Sequence, residues 1–251
     1  MDMAKKFMAL VASVMVSLML ISGAIASDKV VVNGIDFGFP PFGFVDKDGK
    51  PAGFDVEAMN WIAKEMGFTV KHQPTDWDGI IPALNAGKID CIASGMSATA
   101  ERAKIVNFAI PYYSVTQVMV VRGDEKMDLA AFMKSGRKIG VQRGTNTFKL
   151  LTELKAAGAN IEIVQYDSTD LAMQDLPIGR IDASGMDSSI AYEVMKGQSY
   201  KLGGTFDAAP ENYAYAVRKA DTELLETLNM GLKKLMADPY WEELKNKWEI
   251  H

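Results

Sequence analysis

The stretch Gly87-Lys88-Ile89-Asp90, with Ser94-Gly95-Met96 close behind, returns later in the chain as Gly179-Arg180-Ile181-Asp182 followed by Ser184-Gly185-Met186. Each copy follows a Leu-bearing helical stretch, at Leu84 and at Leu176, and leads into an apolar run that ends in small polar residues. That is the pattern of a helix stopped by glycine, then a buried strand whose C-terminal end opens onto a site. Ligands in α/β sheets sit at such strand ends. Two of them, in two halves of one chain, predict an α/β protein of two lobes facing each other across a cleft.

The flanking sequence extends this pattern. Val30-Val31-Val32 opens a strand, and Gly53-Phe54-Asp55 begins an amphipathic helix through Ile62 and Met66 that Gly67 can end. A strand over 68–71, a helix over about 78–85 and a strand over 89–93 follow, the alternation of a mostly parallel sheet covered on both faces. Residues 98–102 read as a short helix with Ser97 or Thr99 near its cap. The extended run 115–121 carries the chain out of the first lobe. Strands over 138–142, 161–165 and 181–185 then alternate with helices over 145–156, 169–176 and 188–195. Gly203-Gly204 reads as a second flexible passage, and residues 213–217 as an alternating strand before two helices, about 221–236 and 239–248. One strand and two helices are too little for a third domain, so the tail is expected to rejoin the first lobe. The expected division is 27–111 plus 212–251 for lobe 1 and 117–207 for lobe 2, with hinge segments at about 112–116 and 208–211. Two adjacent crossings make a hinge able to close on a ligand.

Lys5 and Lys6 precede an apolar run from Phe7 to Ile21, and Ala24-Ile25-Ala26 supplies small residues for cleavage. Residues 1–26 therefore read as a secretory signal peptide, the run being shorter than a membrane span needs. No cysteine follows it to accept a lipid. The formal net charge of −5 becomes one unit more negative without Asp2, Lys5 and Lys6, and no Lys/Arg cluster offers a nucleic-acid surface. Cys91 is the single cysteine, so an internal disulfide is excluded; with only two histidines, neither a metal site nor a cofactor is expected.

Phe37 to Phe44 is an aromatic, Pro/Gly-rich loop after the first strand, with Phe42 and Phe44 expected in the core. Phe39 and Trp77 precede core elements and fit the apolar lining of a pocket. Asp36, ending the first strand, can meet a cationic or amide group or simply cap its turn. In Ser94-Gly95-Met96-Ser97-Ala98-Thr99-Ala100-Glu101-Arg102, hydroxyls and backbone N–H groups at a strand end stand one helical turn from an arginine, the makings of a carboxylate receptor; the alternative is a capped helix with a surface Glu101/Arg102 pair. Gly144-Thr145-Asn146-Thr147 opens a helix whose amides and hydroxyls suit an anion, or is an N-cap alone. Asp187 is placed for an ammonium group or for the N-cap of the helix it precedes. Two anion receptors and a separate carboxylate describe the head of an α-amino acid.

Gly53-Phe54-Asp55-Val56, Asp76 through Leu84, Asp90 through Arg102, Phe108 with Pro111-Tyr112-Tyr113, Gly144-Thr145, Gly179 through Ala183 with Asp187, and Trp241 to Trp248 together resemble the polar amino-acid-binding proteins of bacterial ABC importers, over essentially the whole mature chain. The resemblance implies a two-lobed, type II periplasmic binding fold, a monomeric periplasmic receptor that closes on an amino acid and delivers it to a membrane ABC permease. It implies Arg102 for the α-carboxylate with Ser97 and Thr145 beside it, Ser94 and Asp187 for the α-ammonium, Phe39 and Trp77 as aromatics sandwiching the ligand, and Asp36 and Asp55 as acids within reach of its side chain. Gln142, Asn146 and Met186 stand where members vary with their ligand. The two acids favour a neutral polar or basic side chain, whereas Arg143 leaves room for an acidic one. A competing reading is an enzyme resembling secreted dehydratases of carboxylated cyclohexadienols. Those need an acid shortly after the Gly-Thr-Asn turn, where this chain has Thr147-Phe148-Lys149.

Overall fold

The structure, a computed structural model, describes residues 29–250. The signal-peptide reading lies outside the described residues. Among those residues no helix is long and apolar enough to cross a membrane.

Two five-stranded sheets organise the chain. The first runs, in spatial order, Thr69–Pro74, Val30–Ile35, Cys91–Ile92, Ala216–Arg218, Val106–Phe108; the second runs Glu162–Tyr166, Lys138–Gln142, Ala183–Asp187, Gln117–Arg122, Tyr200–Thr205. In each, three parallel strands meet one antiparallel strand, which is paired on its far side with the fifth. The antiparallel strand follows directly on a crossing. Those crossings lie side by side, Tyr113–Val115 pairing with Glu211–Tyr213 as a two-stranded ribbon.

The doubled phrase sits at the base of each sheet and does the same work twice. Ile89 is buried against Gly34, where a Cβ would stand 2.2 Å from Ile89 Cδ1, and Ile181 against Gly140, where the distance is 2.5 Å. Both glycines are strand residues whose missing side chain is the space the isoleucine fills. Asp90 Oδ2 accepts the Val32 amide at 2.9 Å and Asp182 Oδ2 the Lys138 amide at 3.0 Å. Arg218 then pairs with Asp90 at 3.0 Å and donates to the Leu84 and Ile89 carbonyls; Arg122 pairs with Asp182 at 3.6 Å and donates to those of Leu176 and Ile181. Each arginine ends the antiparallel strand of its sheet and ties a helix end to a strand start.

The helix Phe54–Met66 ends at Gly67 in the left-handed region, as expected. Toward the C-terminus, Ala216–Arg218 enters the first sheet, and the helix Thr222–Ala237 packs on Phe54–Met66 where Gly231 faces Ile62 closely. Phe42 is fully buried among Phe54, Tyr113 and Tyr213, while Phe44 is half-buried edge-on to Trp248.

Four local expectations need correction. Residues 98–102 form no α-helix; one 3-10 turn follows at Arg102–Lys104, with Thr99 Oγ1 accepting the Arg102 amide at 3.2 Å. The strand expected over 89–93 shortens to Cys91–Ile92, because the Asn33 side chain takes over both backbone groups of Ala93. Gly203-Gly204 is no passage but the bulged part of the strand Tyr200–Thr205, where Gly203 meets Met119 and Val121. Residues 213–217 are buried throughout rather than alternating, and divide between the crossing ribbon and the first sheet.

Candidate functional site

The C-terminal ends of the two sheets face each other and touch. Asp36 and Gln142 each follow or end the first parallel strand of their sheet, and Gln142 Nε2 donates to Asp36 Oδ2 at 2.7 Å. The Gly144 carbonyl accepts from Trp77 Nε1 and from Arg102 Nη2, both at 3.2 Å. Arg143 lies 3.6 Å from Asp78, and Lys149 pairs with Glu101.

Arg102 lies 5.3 Å over the Trp77 ring, and its Nη1 donates to the Ser97 carbonyl at 3.1 Å. Ser97 in turn is held by a bridge to Tyr213 of the crossing ribbon. Arg102 shares a cavity of about 510 Å³ with Thr99, Gly144, Thr145 and Asn146, which Glu101, Lys149 and Glu153 also line, so a guanidinium and a helix N-terminus face the same space. That combination receives an anion. The Thr145 hydroxyl itself is the N-cap, accepting the Phe148 amide at 3.1 Å and donating to the Gln142 carbonyl at 2.8 Å.

Asp187 occupies the N-cap position of the helix Ser188–Met195 but makes no side-chain cap bond. Its carboxylate instead accepts from the Tyr213 hydroxyl and from Gln117. Desolvation raises its pKa to about 6 against those two bonds, with Glu211 adding to the rise and Arg102 opposing it. A carboxylate that declines its local cap and turns to the crossing ribbon can receive a cation.

At the far end, the Ser94 hydroxyl accepts the Asp36 amide at 2.9 Å, and Asp36 Oδ1 accepts the Gly38 amide at 2.8 Å. Burial raises the Asp36 pKa, and Asp76 adds to the rise. Phe39 and Trp77 stack on each other, centroids 6.2 Å apart and planes 13° off parallel. A planar group between two rings needs about 7 Å, two van der Waals contacts, so here the pair forms one wall rather than a sandwich.

Several expected site residues lie elsewhere. Met96 is 1% exposed in the core with Trp77 and Ile80, and Met186 is buried likewise. Gly95 is backbone support: its amide donates to Asp55 at 2.7 Å, and a Cβ there would meet the Phe39 ring at 2.6 Å. Asp55 is fully buried beneath it, also accepting from Tyr112 at 2.9 Å, and burial raises its pKa to about 7; it does not reach a ligand's side chain. Thr147 is buried and donates to Gln117. Arg143 is held between Asp78 and Asp167, which removes the free cation an acidic ligand would need. Asn146 donates to Glu211 at 2.6 Å.

The chain matches bacterial extracellular solute-binding proteins, family 3, over residues 31–251. It belongs to that family. It is 35% identical over 237 residues to the L-arginine-binding protein of Pseudomonas aeruginosa, covering 89% of both chains. It is 32% identical over 217 residues to the L-cystine-binding protein TcyJ of Escherichia coli, covering 86% of this chain and 80% of the other. Among solved structures, an ancestral arginine-binding protein bound to arginine superposes with a TM-score of 0.81 at 37% identity, covering 87% of this chain and 97% of that one. The ancestral amino acid-binding protein AncCDT-1, a precursor of cyclohexadienyl dehydratase, gives 0.81 at 35%, covering 89% and 97%. This family member is thus a two-lobed binding protein in fold, as the doubled phrase predicted.

Three residues at the site escaped the sequence reading: Gln117, Glu211 and Tyr213. Gln117 carried a signal, an amide side chain beside Thr116 inside the otherwise apolar run 115–121. Glu211 and Tyr213 carried none locally, because only the pairing of the two crossings brings them to the cleft.

Proposed function

We propose that this chain is a periplasmic receptor, not an enzyme, that captures an L-amino acid between its lobes and delivers it to an ABC permease. The observation that carries it is the opposition of Arg102 and the Thr145 helix N-terminus to Asp187, near enough that Arg102 and Asp187 feel each other's charge. A zwitterionic head satisfies both at once, its carboxylate on Arg102 and its ammonium on Asp187. The lobes are residues 27–111 plus 212–251 and residues 117–207, moving about hinge segments near 112–116 and 208–211; the pairing of Tyr113–Val115 with Glu211–Tyr213 supports this division. After removal of residues 1–26 the receptor works as a monomer.

The ligand's side chain extends along the Phe39/Trp77 wall toward Asp36. Asp76 and Asp170 add negative charge there, and Arg143 is neutralised by two carboxylates. A basic side chain fits best and a neutral polar one next, in keeping with similarity to arginine-binding relatives. The dehydratase alternative has no acid in the segment after the Gly-Thr-Asn turn, where Lys149 instead pairs with Glu101.

A thermal-shift screen of residues 27–251 against the amino acids tests this reading. A ligand at a hundred times its Kd adds about 2.7 kcal/mol to the native state, a rise of several degrees, and L-arginine is expected among the largest. No shift with any amino acid, together with consumption of a cyclic carboxylate, would overturn it.

A further inference from the structure

Glu211 and Tyr213 are two apart on one strand of the crossing ribbon and so project to the same face, toward the cleft. Tyr213 donates to Asp187. Glu211 Oε2 accepts from Asn146 Nδ2 at 2.6 Å and from Gln117 Nε2 at 3.4 Å. The orientation of Gln117 is set from behind, because the Thr147 hydroxyl donates to its Oε1 and leaves both amide hydrogens for acceptors. One goes to Glu211, and Asp187 also bonds to this side chain. A single amide therefore bridges two carboxylates, one on the ribbon and one at a strand end of the second sheet.

We propose that Glu211 is a positioning residue for the ammonium end of the site: from the ribbon it holds Gln117 and Asn146 and, through the shared amide and its own charge, fixes the orientation and proton affinity of Asp187. The proposal rests on the amino-acid reading for its consequence in binding, but not for the arrangement itself. Asp187 faces Tyr213 and Glu211 from the ribbon, Gln117 from the strand Gln117–Arg122 and Arg102 from the first sheet's side of the cleft. Of these, Glu211 is the one negative neighbour and Arg102 the one positive. Burial is the main cause of the raised Asp187 pKa, and the like charge of Glu211 adds to it, moving up the acid limit below which Asp187 cannot hold an ammonium.

The test uses four proteins: wild type, Glu211→Gln, Glu211→Asp and, to assign the signal, Asp187→Asn. Carbon-detected NMR of labelled aspartate follows the Asp187 carboxyl from pH 4 to 8 with no ligand added. The wild-type midpoint is expected at about 6, lowered by about one unit in Glu211→Gln and retained in Glu211→Asp. An unshifted midpoint in Glu211→Gln overturns the proposal. In parallel, the Kd for L-arginine is measured at pH 5 and pH 8. Wild type should bind about tenfold more weakly at pH 5 than at pH 8, and Glu211→Gln only about twofold more weakly, the arithmetic of titrating one group. Equal weakening of Glu211→Gln at both pH values marks a merely structural residue and overturns the proposal. Asp187→Asn binding L-arginine as wild type does would instead overturn the amino-acid reading, with the NMR midpoints still deciding the role of Glu211.

Discussion

The two copies of the doubled phrase are alike at their base and unlike at their tip. At the base, Asp90 with Arg218 and Asp182 with Arg122 make the same clamp, and Ile89 and Ile181 fill the same glycine gap. At the tip the register separates them. In the second copy Ser184-Gly185-Met186 lies inside the strand Ala183–Asp187, whereas in the first copy Ser94-Gly95-Met96 lies beyond the strand Cys91–Ile92. The first tip leads on to Ser97 and Arg102, the second to Asp187. Repetition thus marks what builds a lobe, and divergence marks what the lobe does.

The largest effects should follow from changing the tips. Removing one partner of an enclosed charge pair leaves the other uncompensated, so Asp187→Ala and Arg102→Met should each weaken amino-acid binding by about 100-fold or more while the protein still folds. Titration calorimetry beside circular dichroism checks both; unchanged affinity in either would break the contrast. Changing the bases should do the reverse. Arg122→Met and Arg218→Met each lose carbonyl bonds and a half-buried ion pair, so each should destabilise by about 2 kcal/mol in urea unfolding, with ligand affinity of the folded fraction little altered. Unequal costs would show that the two clamps are not equivalent.

Asp55 sharpens the comparison through pH. Its folded pKa of about 7 lies above its ordinary value, so its contribution to stability is fully present below about pH 4 and is lost as pH rises through 7. Asp55→Asn keeps an oxygen for the Gly95 amide and the Tyr112 hydroxyl. The variant should therefore gain on wild type as pH rises from 5 to 8, measured by denaturant midpoints. The smallest effect is expected at the exposed Lys149–Glu101 pair: Lys149→Met should leave the denaturant midpoint indistinguishable from that of wild type.

The fold was largely legible because glycine-stopped helices and apolar strands are local signals. Gly67, Gly87, Gly158 and Gly179 all adopt the left-handed conformation those readings required. The failures are places where a distant side chain overrides local pattern, as Asn33 does to the third strand of the first sheet. Asp36, Arg102 and Asp187 stood out by charge and by their place near strand ends, and the structure brings Asp36 to Gln142 and Asp187 to Tyr213. Other polar residues singled out there bond within their own lobe: Thr145 as a cap, Thr147 behind Gln117, Asp55 under Gly95. Glu211 was invisible because its place depends on the two crossings pairing, a contact between segments far apart in sequence.

The central claim is that Arg102 holds the ligand's carboxylate and Asp187 its ammonium. Its most direct test compares the receptor's best amino acid with that ligand's decarboxylated analogue on wild type and Arg102→Met, by calorimetry. Arg102→Met should cost the amino acid about 100-fold in affinity and the analogue less than about threefold, because only the amino acid presents a carboxylate to lose. Equal losses for both ligands would contradict the assignment.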